Sequence, residues 1–203
     1  MKLTTTTQVT VDGVMQGNGG TTDEDRSTGF TRGGWAMGAG DEETRTFVTR
    51  AYQRADAFLF GRRTYEMFAS SWGQIPGMRA QPIGVALDEA PKYVASSTLS
   101  DPQWPNTTVL SGDLVAAIGE LKDKPGGELQ VHGSGALIRW LLVHDLVDEL
   151  TLLTVPVVLG QGARLFPDSG PDIALDLIDF RADSKGVAIQ VYQPAGRPRY
   201  ALG

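Results

Sequence analysis

The chain has 203 residues and no cysteine, which excludes disulfide staples, a CxxC redox pair and thiolate zinc sites. Its 18 basic and 24 acidic residues leave a net charge of −6 and a sequence pI near 4.9, which argues against nucleic-acid or anionic-membrane partners. Hydrophobic residues at 41% and charged residues at 21% are ordinary globular usage, and no apolar stretch is long enough to span a bilayer.

Met1-Lys2-Leu3 and the threonines after it lack the apolar run of a secretory leader, so a soluble cytoplasmic protein is expected. Lys2 to Val11 is rich in β-branched residues and stops at Asp12-Gly13, which predicts a strand and a turn. Gly17 to Gly40 is a glycine-rich loop. It carries Phe30, Trp35 and Met37, too apolar for a purely solvated segment, so it is expected to fold over something. Asp41-Glu42-Glu43 opens a helix, with Asp41 as cap and acids suited to the positive end of the dipole. Phe47, Val48, Ala51, Tyr52 and Ala55 give that helix an apolar face. Ala57 to Phe60 is a short apolar run ending at Gly61, a buried strand. Thr64 to Trp72 reads as a helix, and Gly73 to Gly84 as a loop.

The second half repeats the alternation. Strands are expected at Lys92 to Ala95, Asn106 to Leu110 and Glu128 to Val131, and helices at Leu114 to Leu121 and Ala136 to Val143. Leu150 to Val158 is a strand containing Pro156, which predicts an edge or a bulge there. Ile173 to Phe180 and Val187 to Tyr192 flank Asp183-Ser184-Lys185-Gly186 as a hairpin. With no repeat, low-complexity tract or Pro/Ser linker, residues 1–203 are expected to form a single α/β domain. Its fold is a mainly parallel wound sheet with helices on both faces and an antiparallel C-terminal hairpin.

Ligands of such sheets bind beyond the carboxyl ends of the strands. Three ends carry suitable groups. Gly61-Arg62-Arg63-Thr64 combines backbone amides at a helix start with a hydroxyl and two cations, a phosphate site or a plain strand–helix turn. Ser96-Ser97-Thr98 offers three hydroxyls or simply a turn. His132-Gly133-Ser134-Gly135-Ala136 lets backbone approach a pyrophosphate at a helix N-terminus, or packs a tight turn. Taken together, the three would suit a long phosphorylated ligand. A hydrolase reading fits worse: Ser134 is not in a GxSxG elbow, and a Ser134, His144, Asp145 triad would crowd one short helix. His132 and His144 are the only histidines, too few for a histidine-based metal site, and none is expected.

In this order, the segments Thr10-Val11-Asp12-Gly13, Leu59 to Glu66, Lys92 to Leu99, Val131 to Gly135, Val147 to Leu150 and Pro156 to Gly162 resemble the dihydrofolate reductase-like family. The likeness is closest to the branch containing the bacterial riboflavin-biosynthesis reductase domain, and it runs from about Lys2 to Gln193. The resemblance implies NADPH-dependent hydride transfer to a small heterocycle or a C=N bond. By position, Gly61, Arg62, Arg63 and Thr64 would hold cofactor phosphates, and Ser96 and Ser97 would lie near the 2′-phosphate. Gly133, Ser134, Gly135 and Ala136 would cradle the pyrophosphate, and Gln8 and Met15 would flank the nicotinamide. Glu43 is the candidate proton donor, with Asp41 and Glu42 beside it; all three acids could equally just start the helix. Trp35, Phe47, Tyr65 and Phe68 are candidate walls of the substrate pocket, each with a core-packing alternative. The family's habit and the edge-like segment Val155 to Val158 imply a homodimer. The rival expectation is a nucleotide-binding or sequestering protein on the same fold that has lost its chemistry.

Overall fold

A computed structural model describes residues 1–201, apart from the side chain of Glu24. The elements in chain order are β1 (Lys2–Thr10), α1 (Asp23–Ser27), α2 (Glu42–Arg54), β2 (Ala55–Gly61), α3 (Arg62–Ser71), α4 (Pro76–Arg79), α5 (Pro82–Glu89), β3 (Lys92–Ala95) and β4 (Thr107–Leu110). They continue with α6 (Leu114–Asp123), β5 (Glu128–His132), α7 (Gly135–Val143), β6 (Glu149–Val155), β7 (Leu175–Ala182) and β8 (Ala188–Pro194). The strands form one mixed sheet in the order β4-β3-β2-β5-β1-β6-β8-β7. Pairs β2–β3, β2–β5 and β3–β4 are parallel, whereas β6–β8 and β7–β8 are antiparallel, as the alternating pattern and the final hairpin predict.

The chain groups into two compact units. Met1–Thr5 with Arg45–Leu146 make the first; Thr6–Thr44 with the chain from Val147 onward make the second. The first unit is built on an aromatic core of Tyr52, Phe58, Phe60, Tyr65, Phe68 and Trp104, closed by Leu87 and Val94. Phe58 and Phe60 point the same way because alternate residues of a strand share a face, and their rings stack with centroids 6.0 Å apart. Lys92 is buried at the start of β3. Its ammonium donates to the carbonyls of Leu87 (2.6 Å) and Ala90 (2.9 Å) and lies over the Trp104 ring, which satisfies the last carbonyls of α5.

In the second unit Val14, Phe30 and Leu159 form a small core with Trp35 and Val157 packed against it. The glycine-rich loop therefore folds onto its own unit through Phe30, while Met37 is exposed. Asp12 fastens the end of β1 in the same unit. Its carboxylate accepts from Thr10 Oγ1 (2.6 Å) and from the amides of Leu159 (3.1 Å) and Gly160 (2.7 Å), and those bonds hold its pKa down to about 2.

Two sequence expectations are corrected. Gly73 to Gly84 is not a plain loop: it contains α4 and the start of α5, which runs on to Glu89. Each helix begins with a proline at its first position, where the missing N–H costs nothing. A Cβ at Gly84 would run into the Met78 carbonyl, so the pair packs closely only because that residue is glycine. The strand expected over Leu150 to Val158 stops at Val155, before Pro156, and β6 lies between β1 and β8 in the order. The edge on that side of the sheet is β7.

Candidate active site

The three glycine- and hydroxyl-rich turns all lie in the first unit. Strand β2 is parallel to both its neighbours, with Gly61 in register with Ala95 of β3 and Leu59 with Val131 of β5. The carboxyl ends of the three strands therefore share one rim. Side chains tie the turns together. Ser134 Oγ accepts from the Gly61 amide at 3.0 Å, and Arg62 Nη1 donates to Thr98 Oγ1 at 3.1 Å. Arg62 also lies 3.8 Å from Glu66 one helical turn on, a pairing that holds the guanidinium along the rim.

Backbone geometry shapes the turn before α7. Gly133 has φ 63° and Ser134 φ 60°, so the chain makes a left-handed turn directly before α7, and glycine lets it start there without strain. The first turns of α3 and α7 contain no acidic residue, and neither helix has a side-chain cap. Ser134, at the cap position of α7, gives its oxygen to Gly61 instead. Amides at two helix starts, the exposed Arg62 and Arg63, and the hydroxyls of Thr64, Ser96, Ser97 and Thr98 make a donor set that fits phosphate groups. Thr98, named in the sequence only as the third hydroxyl of the Ser-Ser-Thr run and given no role by the resemblance, is the one that Arg62 engages. Ser96 Oγ is partly engaged, accepting from the Thr98 and Leu99 amides at 3.2 and 3.0 Å.

His132 ends β5 on this rim. Its ring packs on Tyr52 (4.7 Å) and Phe68 (5.7 Å), and its Nδ1 is buried without a hydrogen-bond partner. Burial pushes its pKa down to about 4, so the imidazole is neutral at pH 7. Of the expected pocket walls in this unit, Phe47 is half-buried, whereas Tyr65 and Phe68 are only 3% and 7% exposed and belong to the aromatic core. The Tyr65 hydroxyl is itself used, accepting from the Trp104 amide at 3.0 Å.

A cavity of about 560 Å³ in the same unit, bordered by Gln53, Ala55, Asp56, Pro82 and Glu89, sits where β2 begins, away from the rim just described. Asp56 is committed there to the amides of Gly127 and Glu128, so the cavity adds no chemistry to the site.

The remaining candidates lie in the second unit. Gln8 Oε1 accepts from Asn18 Nδ2 at 2.8 Å, and the Met15 amide donates to the Ala163 carbonyl at 2.9 Å. Trp35 rests against the Val14–Phe30–Leu159 core and donates from Nε1 to the Gln16 carbonyl at 2.8 Å. Glu43 is exposed on the first turn of α2. Asp41, its neighbour, caps that helix at the Glu43 amide (2.8 Å) and accepts from both the amide and the hydroxyl of Ser184. The Ser184 bonds above all hold the Asp41 pKa near 2, which commits Asp41 to structure and removes it as a proton source at neutral pH. Among the described residues no group of three or more His, Cys, Asp or Glu side chains could hold a metal ion. No helix among them is long and apolar enough to cross a membrane.

Similarity to known proteins agrees with the fold. The Bacillus subtilis (strain 168) protein YyaP, itself uncharacterised, is 28% identical over 190 residues, covering 91% of this chain and 90% of its own length. A second uncharacterised protein of that organism, YwjB, is 26% identical over 115 residues, 57% of this chain and 60% of its own. Among solved structures, a riboflavin-biosynthesis candidate protein from Shewanella sp. PV-4 superposes with a TM-score of 0.71 at 21% identity, over 96% of this chain and 99% of that one. A pyrimidine reductase-like protein from Corynebacterium diphtheriae gives 0.63 at 14% identity, over 96% and 92%. The family model of the RibD C-terminal domain matches residues 1–189, and with the sheet order and hairpin found here the chain belongs to that family.

Proposed function

We propose that this chain is an NADPH-dependent reductase that transfers a hydride to a small heterocyclic or C=N-containing substrate, with residues 1–203 acting as one reductase domain and two chains forming a homodimer. The observation that carries the reading is the meeting of three turns on one rim of the first unit, fastened by the Gly61–Ser134 and Arg62–Thr98 hydrogen bonds. Membership of the RibD C-terminal family supports it.

In this reading NADPH supplies the hydride when bound, and the chain's own residues bind, orient and exclude water. Arg62, Arg63 and Thr64 hold phosphate charge, with Ser96 and Ser97 toward the 2′-phosphate. The amides of Gly133, Ser134, Gly135 and Ala136, opened by the left-handed turn, receive the pyrophosphate, and Gln8 and Met15 flank the nicotinamide. Of the expected pocket walls, Phe47 supplies apolar surface on the substrate side, whereas Tyr65 and Phe68 are core residues. Glu43 is the proton donor in this reading, with Glu42 beside it; Asp41 is committed to Ser184 and to the cap of α2.

The test is calorimetric titration with NADPH. Wild-type protein is expected to bind, and the Arg62→Ala/Arg63→Ala double variant to bind more weakly by roughly 1–3 kcal/mol, as loss of charge-assisted bonds does. No wild-type binding at millimolar NADPH, or equal binding by the double variant, refutes the assignment. NADPH oxidation against pterins, flavin precursors and imines then separates an enzyme from a sequestering protein, which would bind the cofactor and turn nothing over.

A further inference from the structure

We infer that Asn18 fixes the carboxamide of Gln8 so that position 8 offers only N–H donors, and that the site beside it takes a neutral hydrogen-bond acceptor borne by a planar ring. The acceptor is a carbonyl oxygen or a C=N nitrogen, carried either by the carboxamide of the cofactor or by the substrate. The inference rests on the reading above for where the ligand lies, and adds what that position selects.

Strand β1 is buried almost throughout. From Leu3 to Thr10 every residue is buried except Gln8, which keeps partial exposure. The strand is an interior one in the sheet order. A polar side chain at the open position of an interior strand is placed to meet something outside the core.

Either amide could be turned in two ways, and one backbone group decides both. The Gly19 N–H can only donate, and it meets the Asn18 side chain at 2.8 Å, so the atom there is Oδ1. Asn18 Nδ2 is thereby turned to Gln8, 2.8 Å away, and the atom that receives it is Oε1. Gln8 Nε2 keeps its two N–H groups and has no partner among the described residues. The relay is braced from behind, because the Asn18 carbonyl accepts from the Ala36 amide at 3.1 Å and the Gly17 carbonyl from the Gly34 amide at 2.7 Å. Trp35, next to Ala36, uses its indole N–H on the Gln16 carbonyl at 2.8 Å. Only a ring face is left for it to offer, so the hydrogen-bonding choice here falls to Gln8. All of these residues belong to the second unit.

This arrangement sets the polarity of the ligand. An N–H brought to Gln8 Nε2 would meet another donor, and both would lose water without replacement, whereas a lone pair is satisfied at once. The amide carries no charge, so it has little hold on a phosphate, and the selected group is neutral. Asn18 acts only through Gln8 and is a positioning residue.

Nuclear magnetic resonance of the isotope-labelled chain tests this through the side-chain amide protons, with the Gln8 pair identified by its absence in Gln8→Glu. NADPH probes the cofactor as source. Quinoxaline, a planar ring with C=N acceptors and no N–H, probes the substrate, and indole, with a donor and no lone-pair acceptor, is the control. The Gln8 protons are expected to move downfield with NADPH or with quinoxaline, whichever carries the selected group, and to stay in place with indole. Asn18→Asp keeps an oxygen for Gly19 but leaves Gln8 nothing to accept from, so the Gln8 amide turns over and presents Oε1 instead. The ligand that moved Gln8 should then bind about tenfold more weakly and indole more tightly, an inversion that general loosening would not give. Circular dichroism confirms the fold of each variant. Gln8 protons unmoved by both NADPH and quinoxaline, or moved equally by indole, overturn the inference, as does an unchanged preference in folded Asn18→Asp. A chain that binds no NADPH while quinoxaline moves Gln8 overturns the cofactor reading alone.

Discussion

Replacing His132 by phenylalanine tests how the rim is built. The imidazole sits between the rings of Tyr52 and Phe68, and its Nδ1 is buried with nothing to bond. Phenylalanine keeps the ring packing and removes the orphaned nitrogen, so stability at pH 7.5 should be unchanged or higher by about 1 kcal/mol. Acid separates the two proteins more sharply. The folded-state pKa of about 4 lies below the ordinary 6.5, so the unfolded chain binds the proton first, and folding loses stability as pH falls from 6.5 toward 4. From those two values the wild type should lose about 2 kcal/mol between pH 7.5 and pH 5, and up to about 3 kcal/mol by pH 4. His132→Phe should lose that increment, leaving only the decline due to other groups. Urea denaturation at pH 7.5, 6.5, 5.5 and 5.0 measures the difference without a substrate. Equal acid sensitivity in both proteins would show that the imidazole is protonated freely in the fold, and the account of a neutral ring desolvated by Tyr52 and Phe68 would fail.

Two further outcomes follow from the same geometry. Ser134→Ala should destabilise the protein by about 1 kcal/mol through the orphaned Gly61 amide, and weaken NADPH binding in the calorimetric assay; unchanged stability and binding would show that the bond between the turns is idle. Asp12→Asn should lower the midpoint of thermal unfolding at pH 7 and abolish hydrogen-exchange protection of the Leu159 and Gly160 amides. With the Asp12 pKa at about 2 against the ordinary 3.8, the wild-type advantage should be complete above pH 3.8 and disappear as pH falls toward 2; a difference that persists at pH 2 would contradict this.

The strand ends that make the rim were legible because each is announced locally: an apolar run ends at Gly61, a second runs into three hydroxyl residues after Ala95, and a third into His132-Gly133. Parallel pairing of β2 with both neighbours then follows from strand–helix alternation. Pro76 and Pro82 misled because proline breaks a helix in its interior but starts one at its first position, and local composition does not separate the two cases. Pro156, read as a sign of an edge or a bulge within the strand, instead lies just beyond its end, and β6 is an interior strand. The cap that Asp41 makes to its own helix was legible, but the distant partners of Asp12 and Asp41 were not. Leu159, Gly160 and Ser184 lie more than a hundred residues downstream, and only the folded register brings them within hydrogen-bonding distance. The sequence left Tyr65 and Phe68 open between pocket walls and core packing, and burial, which no spacing pattern encodes, puts both in the core.

The ring of Phe30 changes how the glycine content of the second unit should be understood. A methyl group on Gly17 would fall 2.5 Å from Phe30 Cε1, and one on Gly162 would fall 2.8 Å from Cε2, so two distant backbones press against opposite edges of one benzyl group. Glycine at these points provides clearance, not slack. A segment that composition alone would mark as a tether is a clasp, and enlarging either residue to alanine would have to push the aromatic plug out of its socket.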